Sequence, residues 1–319
     1  MTLLVCVSSI SSVETAAATE YGLSNYQLGL VIPMSGYIPP PGVYFWDTFY
    51  LYQGSGKLFQ GSNTRNPAQV TYNIAANIVI TALITDFTLF GGQLGFANTS
   101  AYASEKTTTV VPFQDAFGIN RHLTDQQSVN SITDTEFTAL LGWHAGEQHW
   151  SLTVSGFVPT GNYDAARTAE TSLNRPSLDI KGAYTFLSLQ SGFEVSGAFG
   201  VMVNGVNSAT NYQSGSEIHF EWALNQHFPF GLAVGVGGYF DQQITNDTGS
   251  GDILGSFKGR VASVGPLVSY TIKMGDQQVD LSARWFHEFD VQHRVRGDAI
   301  FATMGFPLQS KPPAVFATK

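Results

Sequence analysis

The chain has 319 residues and a formal net charge of −9, and only 12% of its residues are charged although 43% are hydrophobic. Soluble domains carry about 25% charged residues, and the acidic balance argues against nucleic acid as a partner. No run of about 18 apolar residues exists to form a transmembrane helix. This composition fits a transmembrane β-barrel, whose apolar residues are diluted by alternation, or a soluble all-β sandwich or barrel.

The amino terminus has the features of an export signal except for a basic start. Residues 3–7 form a short apolar run, Ala16-Ala17-Ala18 offers a cleavage site, and no Lys or Arg precedes the run. We expect a signal peptide over 1–18, truncated at its start. Cleavage there would remove Cys6, the single cysteine, which suits an oxidising compartment.

An N-terminal arm is predicted over 19–41, because it ends in three consecutive prolines, Pro39 to Pro41, which cannot lie in a central strand. Its apolar residues, such as Leu28 and Ile32, have no predicted strand partner. We therefore expect the arm to enter the lumen of a barrel and constrict it. The other candidate for constriction is the segment 98–134, which shows no sustained period.

Twelve segments alternate between an apolar and a mixed face, as the side chains of β-strands do. The alternation is clearest over 70–85, where Ile74 and Ile78 share one face. A hairpin over 216–245 turns at Pro229-Phe230-Gly231, where Pro presets φ and Gly tolerates positive φ. The predicted strands are 43–53, 70–85, 89–97, 135–143, 149–158, 177–186, 193–203, 216–228, 232–245, 257–272, 279–289 and 297–306.

The connections between these strands alternate between longer polar loops and turns of a few residues. Outer-membrane barrels have an even strand number, short periplasmic turns and longer outer loops. The fold prediction is therefore an all-β, antiparallel up-and-down transmembrane barrel over 42–308, followed by a periplasmic tail over 309–319. A bacterial outer-membrane location follows, with outer-membrane lipid and lipopolysaccharide as partners, and we expect a monomer.

If every apolar face is solvated by lipid, including those with Ile74, Ile78, Trp222 and Val264, then the mixed faces line the lumen. About twelve strands enclose a narrow passage. Lys181 and Arg284 are candidates for pairing with nearby carboxylates, since an isolated buried charge is costly. The predicted lumen-lining residues are Phe45, Asp47, Phe49, Glu136, Phe157, Asp179, Lys181, Glu194, Glu217, His219, Glu221, Tyr239, Asp241, Asp280, Arg284, Phe286, Glu288 and Phe301.

Six motifs carry a resemblance to a known family, and they follow one another in the order 39–45, 143–144, 158–164, 214–219, 234–239 and 260–266. Together they resemble the meta-pathway phenol-degradation family of bacterial outer-membrane channels. The resemblance extends from about Tyr21 to Leu308 and implies a monomeric barrel that takes up small hydrophobic or aromatic compounds. The chain departs from the usual pattern in its missing basic start and in its tail beyond Phe306.

A hydrolase in an outer-membrane barrel is the alternative function. His219 lies between Glu217 and Glu221 on one strand face, and a histidine beside carboxylates can serve as a general base. No Gly-x-Ser-x-Gly nucleophile motif is present, and His144 and His149 lack the further ligands of a compact metal site. We therefore predict a channel with no catalytic residue, no metal and no cofactor.

Overall fold

The computed structural model describes residues 22–58, 68–115, 117–252, 258–274 and 277–310. The predicted signal peptide and residues 311–319 of the predicted tail lie outside this range. The strands are β1 Gly42–Leu58, β2 Ala68–Leu89, β3 Gly92–Gln114, β4 Asn120–Ile132, β5 Thr135–Ala145, β6 Gln148–Val158, β7 Ser177–Leu187, β8 Phe193–Asn204, β9 Val206–Asn207, β10 Tyr212–Gln213, β11 Glu217–His227, β12 Leu232–Gln243, β13 Arg260–Met274, β14 Gln277–Gln292 and β15 Arg296–Ser310.

Twelve of these strands form a closed antiparallel barrel. Every strand of the barrel pairs with its neighbours in the chain, with β5 following β3 and β11 following β8, and β1 closes the ring against β15 from Gly42↔Ser310 to Ser55↔Arg296. Closure pairs the backbone groups of every strand, which a structure surrounded by lipid requires. The predicted antiparallel up-and-down barrel of about twelve strands is confirmed, with β4 as an extra strand.

The segment 98–134 is not a long loop that folds inward. β3 continues to Gln114, and β4 returns along it from Gln114↔Asn120 to Tyr102↔Ile132. β4 is exposed on both faces from residue 120 to residue 126, so the tip of this hairpin stands clear of the barrel wall. Because neither face of β4 is buried there, apolar and polar residues do not alternate along it. The sequence therefore gives no signal of a strand in this segment.

Most strands of the barrel have the predicted orientation, in which apolar side chains point outward and charged side chains point into the lumen. On β7, Leu178 and Ile180 are about half exposed, whereas Asp179 and Lys181 are buried. Val264 on β13 also faces outward. An exposed apolar belt on a closed barrel is the surface that bilayer hydrocarbon solvates.

On β1 and β2 the prediction is wrong, because the face that was expected to contact lipid points into the lumen. Ile78 and Ala76 of β2 are buried inside the barrel, and Ile74 packs against the same cluster. On the outer face of these strands, Asn77 donates a hydrogen bond to Asp47 at 2.5 Å. The reason is that alternation defines two faces but not which one is outside, and the arm supplies an apolar partner in the lumen.

The arm, residues 22–41, lies inside the barrel and reaches the start of β1. Tyr26, Leu28 and Ile32 of the arm belong to the same buried cluster as Ile78 of β2 and Phe286 of β14. The hydrophobic core of the molecule is therefore formed between the arm and the inner wall. Among the described residues, no helix is long and apolar enough to cross a membrane.

Candidate functional site in the lumen

The arm is attached to one side of the lumen through its backbone. Three of its amide groups donate to side chains of the wall strands β7, β8 and β11, and two of the acceptors are buried carboxylates, which give the stronger, charge-assisted bonds. These strands carry the predicted residues Asp179, Lys181, Glu194, Glu217, His219 and Glu221, all of which are buried. The bonds are Gly29 N to Glu221 Oε1 at 3.0 Å, Met34 N to Glu194 Oε1 at 2.8 Å and Gly36 N to Thr185 Oγ1 at 3.0 Å.

Arg284 of β14 holds the arm from another direction. Its Nη1 donates to the carbonyl oxygens of Gly29 at 3.1 Å and Leu30 at 2.9 Å, and also to that of Ile32. Its Nη2 donates to Thr303 Oγ1 at 3.0 Å. The expectation that Arg284 pairs with a nearby carboxylate is therefore replaced: within the described residues its hydrogen bonds go to backbone carbonyls and a hydroxyl, because the arm lies between it and the acidic wall.

An aromatic contact fixes the outer part of the arm. The ring of Tyr26 stacks on His219, with centroids 3.7 Å apart, and Lys181 Nζ lies 4.8 Å from the centre of the same ring. His219 Nε2 is 2.8 Å from Asp179 Oδ1. The ring of Tyr26 therefore contacts side chains of both β7 and β11.

Glycines allow the arm to lie directly against the wall at its periplasmic end. A Cβ added to Gly142 of β5 would come within 2.4 Å of the Ile38 side chain. A Cβ on Gly36 of the arm would come within 2.6 Å of Thr185 N and 2.7 Å of the His149 carbonyl oxygen. No side chain fits at either position without moving the arm or the wall.

The opposite side of the arm leaves a cavity of about 230 Å³. Its wall is apolar where β2 and β3 contribute Ile74, Ile78 and Ala103, and aromatic where β1 contributes Tyr50 and Tyr52. An apolar cavity of ~150 Å³ is large enough to bind benzene. The cavity can therefore hold one ring with a small substituent.

The loop 159–176 covers the outer end of the lumen. Asp134 fixes this loop by accepting hydrogen bonds from Gly161 N at 3.1 Å, Ser172 Oγ at 2.6 Å and Leu173 N at 3.0 Å. Leu173 also lines the cavity. The inward-folded segments are thus the arm and this loop, and not 98–134.

Fifteen of the eighteen predicted lumen residues lie on the inner face, and the three of β1 do not. Phe45, Asp47 and Phe49 lie on the outer face, since Thr48 and Tyr50, which alternate with them, are buried inside. Asp280 lies on the inner face at the exposed periplasmic end. Those that line the cavity are Glu136, Phe157, Lys181, Tyr239 and Glu288. The rest of the inner set, around the arm, are Asp179, Glu194, Glu217, His219, Glu221, Asp241, Arg284, Phe286 and Phe301.

Sequence reasoning missed most of the cavity wall. Glu105 of β3 and Glu170 of the loop 159–176 line the cavity, but the sequence shows no sustained alternation in either segment. For Ile74 and Ile78 the sequence predicts contact with lipid, whereas the structure places them in the cavity wall. The available signal was the arm itself, because its apolar residues need an apolar surface inside the barrel to pack against.

The contacts of His219 do not favour the hydrolase alternative. Its described hydrogen bond is to Asp179, and its Nδ1 has no partner among the described residues. His144 Nδ1 and His149 Nδ1 lie 2.7 Å apart. In the part of the chain that the structure describes, no group of three or more His, Cys, Asp or Glu side chains is arranged to hold a metal ion. A non-enzymatic role stays a prediction.

The fold is similar to that of a solved outer-membrane channel. The COG4313 outer membrane channel from Pseudomonas putida F1 is 13% identical, with a TM-score of 0.60 over 86% of this chain and 98% of that one. The transport unit of the autotransporter AIDA-I from Escherichia coli is less similar, at 12% identity over 88% of this chain and 93% of that one, with a TM-score of 0.47. No curated protein matches the sequence significantly.

The closed barrel with its apolar outer belt places this protein in the bacterial outer membrane, and its fold is that of an outer-membrane channel. The model of the family described as "Putative MetA-pathway of phenol degradation" matches residues 55–304. This match spans more than half of the chain. The protein therefore belongs to that family.

Proposed function

We propose that this protein is a passive diffusion channel for small hydrophobic or aromatic molecules, and that the arm controls passage through its lumen. The observation that carries the proposal is the division of the lumen. The arm is hydrogen-bonded to side chains of β7, β8 and β11, and beside it remains a cavity whose wall includes Ile74, Ile78 and Ala103. A neutral ring can pack against this apolar part of the wall, which removes its apolar surface from water.

The arm and the loop 159–176 narrow the lumen by different means. The arm is held by hydrogen bonds to side chains of the wall, such as Glu221 and Arg284, and it has no strand partner. Segments of this kind exchange between positions more readily than paired strands do. We infer that displacement of the arm, without opening of the barrel wall, widens the passage.

The assembly state and the lipid partner are part of the same proposal. The apolar belt on strands such as β7 suits contact with outer-membrane lipid, and the loops at the opposite end from the short turns would face lipopolysaccharide. A single closed barrel already encloses its own passage. We therefore propose that one chain is sufficient for transport.

Deletion of residues 22–40 tests the role of the arm. Planar-bilayer recordings should show a larger and steadier single-channel conductance for the deletion variant than for the full chain. Uptake of radiolabelled phenol or toluene by cells with an intact outer membrane should be faster with the full chain than with an empty vector. If the deletion leaves the conductance unchanged, the arm does not control passage.

The matched control is a variant that retains the arm but carries a substitution at one lipid-facing residue, such as Val154→Ala. Its conductance and uptake should equal those of the unmodified protein. Uptake that is independent of the protein would contradict the channel proposal as a whole.

A further inference from the structure

Most carboxylates that line the cavity are saturated by hydrogen-bond donors. Asp134 holds the loop 159–176, as described above. Glu288 accepts from Tyr52 Oη at 2.8 Å, Tyr239 Oη at 2.9 Å and Gly297 N at 2.8 Å. The carboxylates of Asp134 and Glu288 therefore have a structural role, since the hydrogen bonds that they accept connect separate segments of the barrel.

Two carboxylates of the cavity are different. Glu105 is only 3% exposed, and both of its described hydrogen bonds, from Thr107 Oγ1 at 2.7 Å and Glu170 N at 3.3 Å, end on Oε1. Glu136 accepts from Thr138 Oγ1 at 3.1 Å, also on Oε1. The Oε2 atoms of Glu105 and Glu136 have no donor among the described residues, and both side chains line the cavity.

The basic groups of the cavity do not neutralise these two carboxylates. Arg294 Nη1 is 3.0 Å from Asp241 Oδ1, and Lys181 Nζ is 3.4 Å from Tyr26 Oη and lies over its ring. Within the described residues, no ion pair reaches Glu105 or Glu136. Glu105 is buried and Glu136 is half-buried. A buried carboxylate without a cation is costly, so a cationic ligand would relieve this cost at Glu105.

Aromatic rings line the same cavity. Tyr26, Tyr50, Tyr52, Tyr239 and Phe157 all contribute to its wall. A ligand cation is attracted to the faces of aromatic rings, and aromatic cages are a recurrent means of binding quaternary ammonium groups. Rings and unpaired carboxylates therefore favour the same type of ligand independently.

We propose that the cavity is a binding site for small organic ammonium cations with an apolar body of about one ring, and that it discriminates against aromatic anions. This inference rests on the proposed channel function and specifies its substrate class. Glu105 and Glu136 would attract the positive nitrogen, while Ile74 and Ile78 contact the apolar body. An aromatic carboxylate or sulfonate of the same size would meet two unneutralised carboxylates.

The test uses two permanently charged ions of similar size, phenyltrimethylammonium and benzenesulfonate. Reversal potentials are measured across planar bilayers with the full chain, under gradients of phenyltrimethylammonium chloride and of sodium benzenesulfonate. At a pH of about 8.5, where carboxyl groups are ionised, we expect the permeability to phenyltrimethylammonium to exceed that to benzenesulfonate by about tenfold or more, since Glu105 and Glu136 favour a cation in a site of reduced dielectric constant. Equilibrium dialysis of the detergent-solubilised protein should show binding of the cation only.

The decisive variant is the Glu105→Gln, Glu136→Gln double substitution, in which size and hydrogen bonding are retained. It should lower the permeability ratio by about threefold or more. Asp47→Asn makes a similar change on the outer face and should leave the ratio unaltered. An equal reduction by Asp47→Asn, or equal permeability of the two ions in the unmodified protein, would overturn the inference.

The two proposals fail in different ways. If the protein passes both aromatic ions equally, only the preference for cations is wrong. If neither ion nor a neutral aromatic compound passes through the protein, the channel function itself is wrong.

Discussion

At the scale of single residues, the close approach of the arm to the wall depends on glycine. Gly36 N donates to Thr185 Oγ1, and there is no space for a Cβ between Gly36 and the strands β6 and β7. Arg284 complements this fit, since one guanidinium nitrogen serves three carbonyl oxygens of the arm. The arm is therefore positioned by close packing at Gly36 and by hydrogen bonds from the Arg284 guanidinium group in its middle.

Gly36→Val should displace the periplasmic half of the arm. Overpacking costs roughly 1–3 kcal/mol, which corresponds to a shift of about fivefold or more toward the displaced arm. Bilayer recordings should show a higher mean conductance. Gly156→Val is the matched control, because a Cβ there has no heavy atom within 4 Å. If both substitutions alter the conductance equally, shape does not hold the arm.

At the scale of the strand, β2 shows that an apolar face can belong to the lumen. Its inner residues pack with the arm and form the cavity wall, while Asn77 and Thr81 are exposed on the outer face. On β7 the assignment is the opposite, with Asp179 inside and Leu178 outside. Which face of a strand points inward depends on the groups that pack against it in the lumen. An apolar segment of the arm packs against β2, and hydrogen-bonding groups pack against β7.

Ile78→Asn should slow the uptake of neutral aromatic compounds without preventing assembly of the barrel. The amide would be buried in the cavity wall, and an unsatisfied polar group costs about 1–3 kcal/mol. Uptake of radiolabelled phenol by cells and the heat-dependent mobility of the barrel on gels would be measured together. Thr81→Val changes the outer face of the same strand and should leave uptake unaffected. Slower uptake in Thr81→Val alone would contradict the assignment of faces.

At the scale of the whole molecule, β1 closes on β15, so that one chain forms the whole ring of the barrel. Each wall strand is hydrogen-bonded to a neighbouring strand on both sides, which a structure surrounded by lipid requires. The interior is filled by the arm and by buried charged side chains, so the barrel is a packed body with one cavity along the arm.

The purified protein should depend on detergent and should contain one chain per particle. Light scattering during size-exclusion chromatography gives the protein mass in the detergent complex. Removal of detergent should cause aggregation, because the apolar outer faces of strands such as β7 and β13 would then be exposed to water. A monodisperse sample in detergent-free buffer would contradict the membrane assignment, and a mass of two or three chains would contradict the monomer.

The sequence by itself determined the strand number, the antiparallel order, the outer-membrane class and most of the charged inner face, because alternation with a period of two and the lengths of connections are local properties. Only the tertiary structure decided which face of β1 and β2 is inside. That choice depends on the arm, which is distant in sequence from the strands it contacts. The cavity, with Glu105, Glu136 and the rings around it, exists because the arm binds one side of the lumen and leaves the other side open.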